Sequence, residues 1–277
     1  MTARRLTTLR VDKPWGRHDL WPGFDDVAAG GAPVGEIWFD EGLESDPSLL
    51  VKYLFTCERL SVQVHPDDAA ARLAGHPRGK EEMWLVLAAA PESTIALGLR
   101  EATTKAALRT AALDGSIVDL LDWRSVAAGD VIYSPAGTIH AIGAGITLIE
   151  VQQNIDLTYR LFDYGRPRPL HLDAGLAVSD LVPFVAPLIP GPIAAGRAIL
   201  CEGRKFVVER WTWGGMRTVT TPGPAWLVPV SGGGTIDDAP FAAGEAWLIE
   251  GVSDIALNGD ALFAYDGPDR LALFGSP

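Results

Sequence analysis

The chain has 277 residues, 48% of them hydrophobic and 21% charged, with a formal net charge of −12. That apolar share suffices for one long domain or two smaller ones, and so acidic a surface repels nucleic-acid backbone and anionic lipid. Two cysteines with no C-x-x-C pair exclude a disulfide framework, and no apolar run reaches the roughly 18 residues a membrane span needs.

The first sixteen residues, MTARRLTTLRVDKPWG, are basic but lack an apolar run behind them, so a secretory signal is not expected and the setting reads as cytoplasmic. Strand-like runs follow at 36–39, 50–55, 60–65, 83–88, 94–99, 131–134, 146–151 and 158–164. A second set lies at 205–213, 225–230, 245–250, 253–257, 261–265 and 270–274. Two helical patches interrupt the first set. Residues 67–74 follow Pro66 with Asp67 or Asp68 as N-cap, and 101–113 carry an apolar stripe at Ala107, Leu108, Ala111 and Ala112, which 117–121 extends. Many short strands between Gly, Pro and Asp predict a mainly β sandwich or barrel.

SVAAGDVIYS (125–134) and FAAGEAWLIE (241–250) echo each other: a small-residue turn, a glycine, an acid, then a strand. This repetition suggests two related β modules. The Pro/Gly-rich segment near 176–196 divides them, giving 1–178 with helical insertions near 67–78 and 101–122, and 179–277. All five histidines, His18, His65, His76, His140 and His171, fall in the first module, so the second is expected to be metal-free.

LSVQVHPDD (60–68) sends Gln63 and His65 to one face of a strand. Alone, the pair reads as ordinary buried polar residues. GDVIYSPAGTIH (129–140) has the spacing G-x5-P-x-G-x2-H, which matches the second signature of the cupin barrel. The first signature then begins at Gln63, and its glutamate is Glu82 in GKEEMW, delayed by the inserted helix. Gln63, His65, Glu82 and His140 form the candidate ligand set for one ion. Two imidazoles, a carboxylate and an amide oxygen suit Zn²⁺ best, with Mn, Fe, Co and Ni left open.

Four stretches, LSVQVHPDD, GKEEMW, PAGTIHAIGAG (135–145) and LIEVQQNIDLTYRLFDYGR (148–166), resemble class I mannose-6-phosphate isomerases in their short bacterial form. The likeness covers most of 10–175; beyond that it rests on the two-module plan. It implies a double cupin with one zinc ion on Gln63, His65, Glu82 and His140. It implies that Glu150 is the acid/base carboxylate, Arg160 an active-site arginine, Lys80 the lysine two before the glutamate ligand, and Ser61 a phosphate contact. Arg166 stands where longer eukaryotic forms have a phosphate-binding lysine. The implied reaction interconverts mannose 6-phosphate and fructose 6-phosphate through an enediolate, with a small sugar phosphate as partner and a monomer or homodimer as the assembly.

Such chemistry needs a base beside C1 and C2, an electrophile for the oxyanion, and a cation for the distal phosphate. Alternatives stay open at several positions. Glu150 is either the proton carrier or a structural carboxylate paired with Arg160. Lys80 either serves the site or balances Glu81 and Glu82. Arg166 either grips phosphate or sits on the surface of the turn before P-R-P. His18, His76 and His171 read as structural or exposed. Trp15, Trp38 and Trp84 suit a sugar-pocket wall, whereas Trp211, Trp213, Trp226 and Trp247 suit the second core. The rival functions are an isomerase of another sugar phosphate and a sugar-binding regulatory cupin. Glu150 and Arg160 argue against the latter, and Gln63 as a fourth protein ligand argues against a metal oxygenase.

Overall fold

The computed structural model describes residues 2–24, 31–40, 46–188 and 190–274. Its elements in chain order begin β1 (Ala3–Arg5), β2 (Thr7–Arg17), β3 (Val34–Asp40), β4 (Leu49–Phe55), β5 (Val62–Val64), α1 (Asp68–Leu73), β6 (Glu82–Ala89) and β7 (Thr94–Leu99). They continue α2 (Lys105–Asp114), α3 (Ile117–Leu120), β8 (Leu121–Ser125), β9 (Val131–Ser134), β10 (His140–Ile142), β11 (Ile146–Gln153), β12 (Tyr159–Phe162) and α4 (Leu172–Val178). The second half holds β13 (Gly191–Ala194), β14 (Arg197–Glu202), β15 (Phe206–Trp211), β16 (Gly214–Ile236), β17 (Ala239–Ala242) and β18 (Trp247–Asp266).

The fold is a mainly β double cupin with short helical insertions. The first half forms a six-stranded sheet, β2-β3-β4-β11-β6-β9, and a five-stranded sheet, β12-β5-β10-β7-β8. The second half forms a sheet ordered β13-β14-β15-β18-β16-β17, and β1 crosses over to pair with β18. Strands β16 and β18 pair with each other along two stretches of β16, Gly214–Thr221 against Gly251–Asn258 and Ala225–Ile236 against Ile255–Tyr265, with Ala225–Leu227 also meeting Trp247–Ile249.

Local chemistry explains most elements. Asp67 caps α1 by accepting from the Ala70 amide at 2.8 Å, and Thr104 caps α2 through the Ala107 amide. Gly115, with φ of +88°, ends α2 in the left-handed region that favours glycine. The sequence echo is one turn used twice. Asp130 accepts from the Ala127 amide at 2.8 Å and Glu245 accepts from the Ala242 amide at 3.4 Å, each one residue after a positive-φ glycine. The expected strand at 270–274 is absent. That segment is coil, held by the Leu273 carbonyl on the Thr220 amide and by burial of Leu273.

The centre of the six-stranded sheet, β4 and β11, is buried on both faces. The sheet's outer face carries Tyr53, Met83, Ile149 and Val151, which pack against Phe206, Val208, Trp226 and Leu262 of the second half in one continuous core. Its inner face looks into the first barrel. Strands β4 and β11 are therefore buried along their whole length, and their apolar runs lack clean alternation.

Candidate active site

Cross-strand register sets two rows of side chains on the strands that form the first barrel. On the six-stranded sheet, Trp84, Glu150, Lys52 and Trp38 stand side by side on β6, β11, β4 and β3. On the five-stranded sheet, Arg160, Gln63 and His140 are neighbours on β12, β5 and β10. Glu82, the first residue of β6, pairs with Gln152 on one side and Ser134 on the other.

His65, Glu82 and His140 converge, with ligand atoms within 4.8 Å of one another and every side chain buried. His65 Nε2 lies 3.3 Å from Glu82 Oε1, and His140 Nε2 lies 3.5 Å from Glu82 Oε2. Each imidazole is oriented from behind. His65 Nδ1 is 2.9 Å from the Leu157 carbonyl and His140 Nδ1 is 3.0 Å from the Thr138 carbonyl. A carbonyl only accepts, so each Nδ1 carries the proton and each Nε2 keeps its lone pair. Burial and the Lys80 charge push His65 down to about 3, and burial also lowers His140, so both rings are neutral at ordinary pH. His65 Nε2 and both Glu82 oxygens are buried without a well-directed hydrogen bond. Unsatisfied buried acceptors facing one another are what a cation would satisfy. The donor set fits a divalent transition metal.

Gln63 completes the group. Its Nε2 lies 3.2 Å from His140 Nε2, and its Oε1 accepts from the Ser61 hydroxyl at 3.1 Å. An amide presents oxygen and nitrogen in nearly the same shape, so the carbonyl end can take the place beside His140. Lys80 Nζ sits 2.5 Å from Glu82 Oε1. Burial lowers the Lys80 pKa, but Glu82, Glu150 and Glu36 raise it further, and Lys80 stays charged.

The cleft beside this cluster is lined by Trp15, Ser61, Gln63, Lys80, Glu150, Thr158, Arg160 and Arg168, with Lys13, Glu36 and Lys52 at one wall. Glu150 Oε1 accepts from Trp84 Nε1 at 2.8 Å, and Oε2 faces Lys52 Nζ at 3.5 Å. Burial and the Glu82 charge raise the Glu150 pKa against the pull of Lys52 and Lys80. Arg160 makes no side-chain hydrogen bond or ion pair among the described residues, and its Nε is buried without a partner. The pairing with Glu150 that the sequence left open as an alternative does not form; Lys52 takes that place. Thr158 and Arg160 share the cleft face as expected. Phe162 does not, because a register shift after Arg160 turns it into the helical core with Leu161.

Arg166, expected at the phosphate, lies outside the cleft. Its guanidinium is 3.0 Å from Asp163 Oδ1, 2.9 Å from Glu58 Oε2 and 2.7 Å from the Arg59 carbonyl. Arg168 is the cation of that turn which reaches the cleft, with Nε and Nη2 on Asp163. Of the remaining histidines, His171 accepts from the Arg160 amide through Nδ1 at 3.2 Å, and its own amide donates to the Arg160 carbonyl at 2.8 Å.

Sequence reasoning passed over Glu36, Lys52, Lys13 and Arg168. The signal for Lys52 was a lone charge inside an otherwise apolar strand, and for Glu36 a charge set among apolar residues before the strand's end at Asp40. Glu36 contacts Lys13 at 3.1 Å and Lys52 at 3.6 Å and accepts from Trp38 Nε1 at 2.5 Å. Burial raises its pKa, but Lys52, Lys13 and the Trp38 hydrogen bond take it from 4.5 down to about 2. A depressed carboxylate stabilises the fold above its unfolded value and loses that contribution as pH falls through the folded one. Glu36→Gln is therefore expected to cost about 3 kcal/mol at neutral pH. The gap to wild type should narrow below about pH 4.5 in urea unfolding curves, and a gap independent of pH would remove the charge from the account.

The fold and the buried His–Glu–His cluster define a double cupin whose first barrel holds side chains that could bind a metal ion. No family model matches the chain. It is 34% identical to the mannose-6-phosphate isomerase of Streptococcus mutans over 73% of this chain and 68% of that one. It is also 34% identical to mannose-6-phosphate isomerase ManA of Bacillus subtilis, over 77% and 72%. The chain belongs to the mannose-6-phosphate isomerase family. The crystal structure of a Bacillus subtilis mannose 6-phosphate isomerase superposes with a TM-score of 0.83 at 25% identity, covering 96% of this chain and 100% of the other. A phosphomannose isomerase variant from Salmonella typhimurium gives 0.78 at 14% identity over 96% and 100%, a likeness of fold alone.

Proposed function

We propose that this protein interconverts mannose 6-phosphate and fructose 6-phosphate, with Gln63, His65, Glu82 and His140 holding one Zn²⁺. The observation that carries the reading is a neutral, back-oriented histidine pair facing a buried carboxylate, beside a cleft holding an unpaired arginine. When bound, the ion supplies Lewis-acid polarisation of the sugar oxygens.

The chain's own residues supply the rest. Glu150 takes the proton from C2 and returns it to C1, while the hydroxyl proton passes from O2 to O1. Its raised pKa suits a carboxyl group that must both accept and release a proton. Lys52, with Trp84, holds the carboxylate in place. Lys80 and Arg160 offer positive charge to the enediolate oxygens, Lys80 from beside Glu82. Ser61 and Arg168 meet the phosphate, and Arg168 has an Nη1 that Asp163 leaves free. The two cysteines are free thiols, which accords with a reducing cytoplasm.

Purified protein is expected to convert either sugar phosphate into the other; no turnover of both would end the reading, and preference for another sugar phosphate would move the substrate. Arg168→Ala should raise KM for mannose 6-phosphate by about ten- to a hundredfold, the scale of a hydrogen bond to a charged group. Arg166→Ala should leave KM within a few fold and lower stability instead. Equal KM effects would return the phosphate to the Arg166 side of the turn.

A further inference from the structure

The second module carries no histidine, yet it reaches the segments that bear two of the metal-binding residues. The turn between β14 and β15, residues 203–205, projects onto the first barrel. Arg204 Nε lies 3.2 Å from Glu81 Oε1, and Lys205 Nζ lies 2.7 Å from Asp68 Oδ2. Arg204 is exposed and Lys205 partly so, but Glu81 is only 1% exposed and Asp68 lies largely covered. Gly203 completes the fit: a Cβ there would meet the Tyr133 ring at 3.0 Å.

These two acids stand at the junctions that place His65 and Glu82. Asp68 begins α1 three residues after His65, and Glu81 immediately precedes Glu82. Segment 79–81 lies outside the β6 ladder and is pinned to 66–68. The Gly79 amide donates to Asp68 Oδ1 at 2.9 Å, and the Lys80 amide donates to the Pro66 carbonyl at 3.0 Å. Gly79 packs so closely that a Cβ would lie 2.4 Å from the Asp67 carbonyl carbon. Gln153 ties both acids together, with Oε1 accepting from the Glu81 amide at 3.1 Å and Nε2 donating to Asp68 Oδ1 at 3.0 Å. Tyr133 donates its hydroxyl to Glu81 Oε2. Each acid thus has one partner set within the first barrel and one cation from the second.

We infer that the 203–205 turn of the second module is a clamp that positions the metal-binding residues His65 and Glu82, through Lys205 on Asp68 and Arg204 on Glu81. An exposed ion pair ordinarily contributes little. Here removal of Arg204 leaves the buried Glu81 carboxylate, one residue before Glu82, without its cation, and a buried charge stripped of its partner moves or costs far more. Groups that orient metal-binding side chains typically carry about ten- to a hundredfold in metal affinity. Arg204 and Lys205 are positioning residues on this account; they touch neither metal nor sugar.

The inference rests on the metal reading of His65, Glu82 and His140, and the test separates the two. Metal-stripped wild type and Arg204→Ala/Lys205→Ala compete for Zn²⁺ against a chromophoric chelator. Both replaced side chains are at the surface, so the double variant folds, which circular dichroism checks. The expected result is a Kd for Zn²⁺ raised about ten- to a hundredfold in the double variant, with most of the loss recovered by Arg204→Lys/Lys205→Arg. Arg270→Ala, which breaks the Arg270–Glu202 pair inside the second module, should leave the Kd at the wild-type value. An unchanged Kd in the double variant overturns the clamp even if its melting temperature falls, since the turn then only joins the modules. Failure of wild type itself to bind Zn²⁺ overturns the metal reading and the clamp with it.

Discussion

Dialysis against a strong chelator is expected to abolish isomerase activity, and one equivalent of Zn²⁺ per chain to restore it. His65 and His140 each spend Nδ1 on a backbone carbonyl and present an unprotonated Nε2 to Glu82. Among the described residues His65 Nε2 has no hydrogen-bond partner, and the other side chain at His140 Nε2 is the Gln63 amide. A Lewis acid at an isomerase centre contributes several kcal/mol, so loss of the ion should lower kcat by about a thousandfold or more. His140→Ala should bind metal weakly and lose turnover to the same degree, because Gln63 and Glu82 remain but one imidazole is gone. Metal content by mass spectrometry and turnover by a coupled assay should fall together. Full activity in protein proven free of metal would end the metal mechanism.

The second large effect concerns Glu150→Gln. Glutamine keeps the shape and the acceptor for Trp84 Nε1, and Lys52 retains Glu36 at 3.6 Å, so the wall should stay folded. What disappears is a group able to carry a proton. General acid–base residues contribute about a hundred- to ten-thousandfold, and kcat should fall by that factor with KM within a few fold and the metal content unchanged. A control, Lys52→Met, removes the cation that holds the carboxylate and should give a smaller loss in kcat together with lower stability. Wild-type turnover in Glu150→Gln would reassign the proton transfer to another group at the cleft, with Lys80 first in line.

The parts of the site that were legible in the sequence are those whose geometry is local. Q-x-H is read from the two-residue period of a strand, and β5 does place Gln63 beside His140 and Arg160. The P-x-G-x2-H turn is read from glycine, and Gly137 adopts φ of +90° just before His140 enters β10. Glu82 was found across an inserted helix because its two ends carry recognisable residues. Lys52 and Glu36 were not found, although Lys52 is the single charge of β4 and Glu36 stands among the apolar residues of β3. Their role depends on β3, β4 and β11 lying side by side, which no stretch of sequence states. The whole burial of β4 also hides the alternation that would have marked Lys52 as inward-facing.

Arg166 and Arg168 show the same limit within three residues. Both follow Asp163 in one turn, and Tyr164 and Gly165 have positive φ. The turn sends Arg166 out to Glu58 and leaves Arg168 in the cleft. A motif match carries position along the chain, whereas the direction of a side chain after a left-handed pair is set by the backbone path.

By itself the sequence determined the mainly β architecture, because strand period and turn glycines are short-range properties, and the likeness of its four matched stretches pointed to the family and the ligand candidates. Only the tertiary structure decided which charges share the cleft, which arginine reaches it, and that a turn from the second module holds the acids beside His65 and Glu82. Those depend on register between strands and on packing between modules, where residues more than a hundred positions apart meet, as Asp68 and Lys205 do.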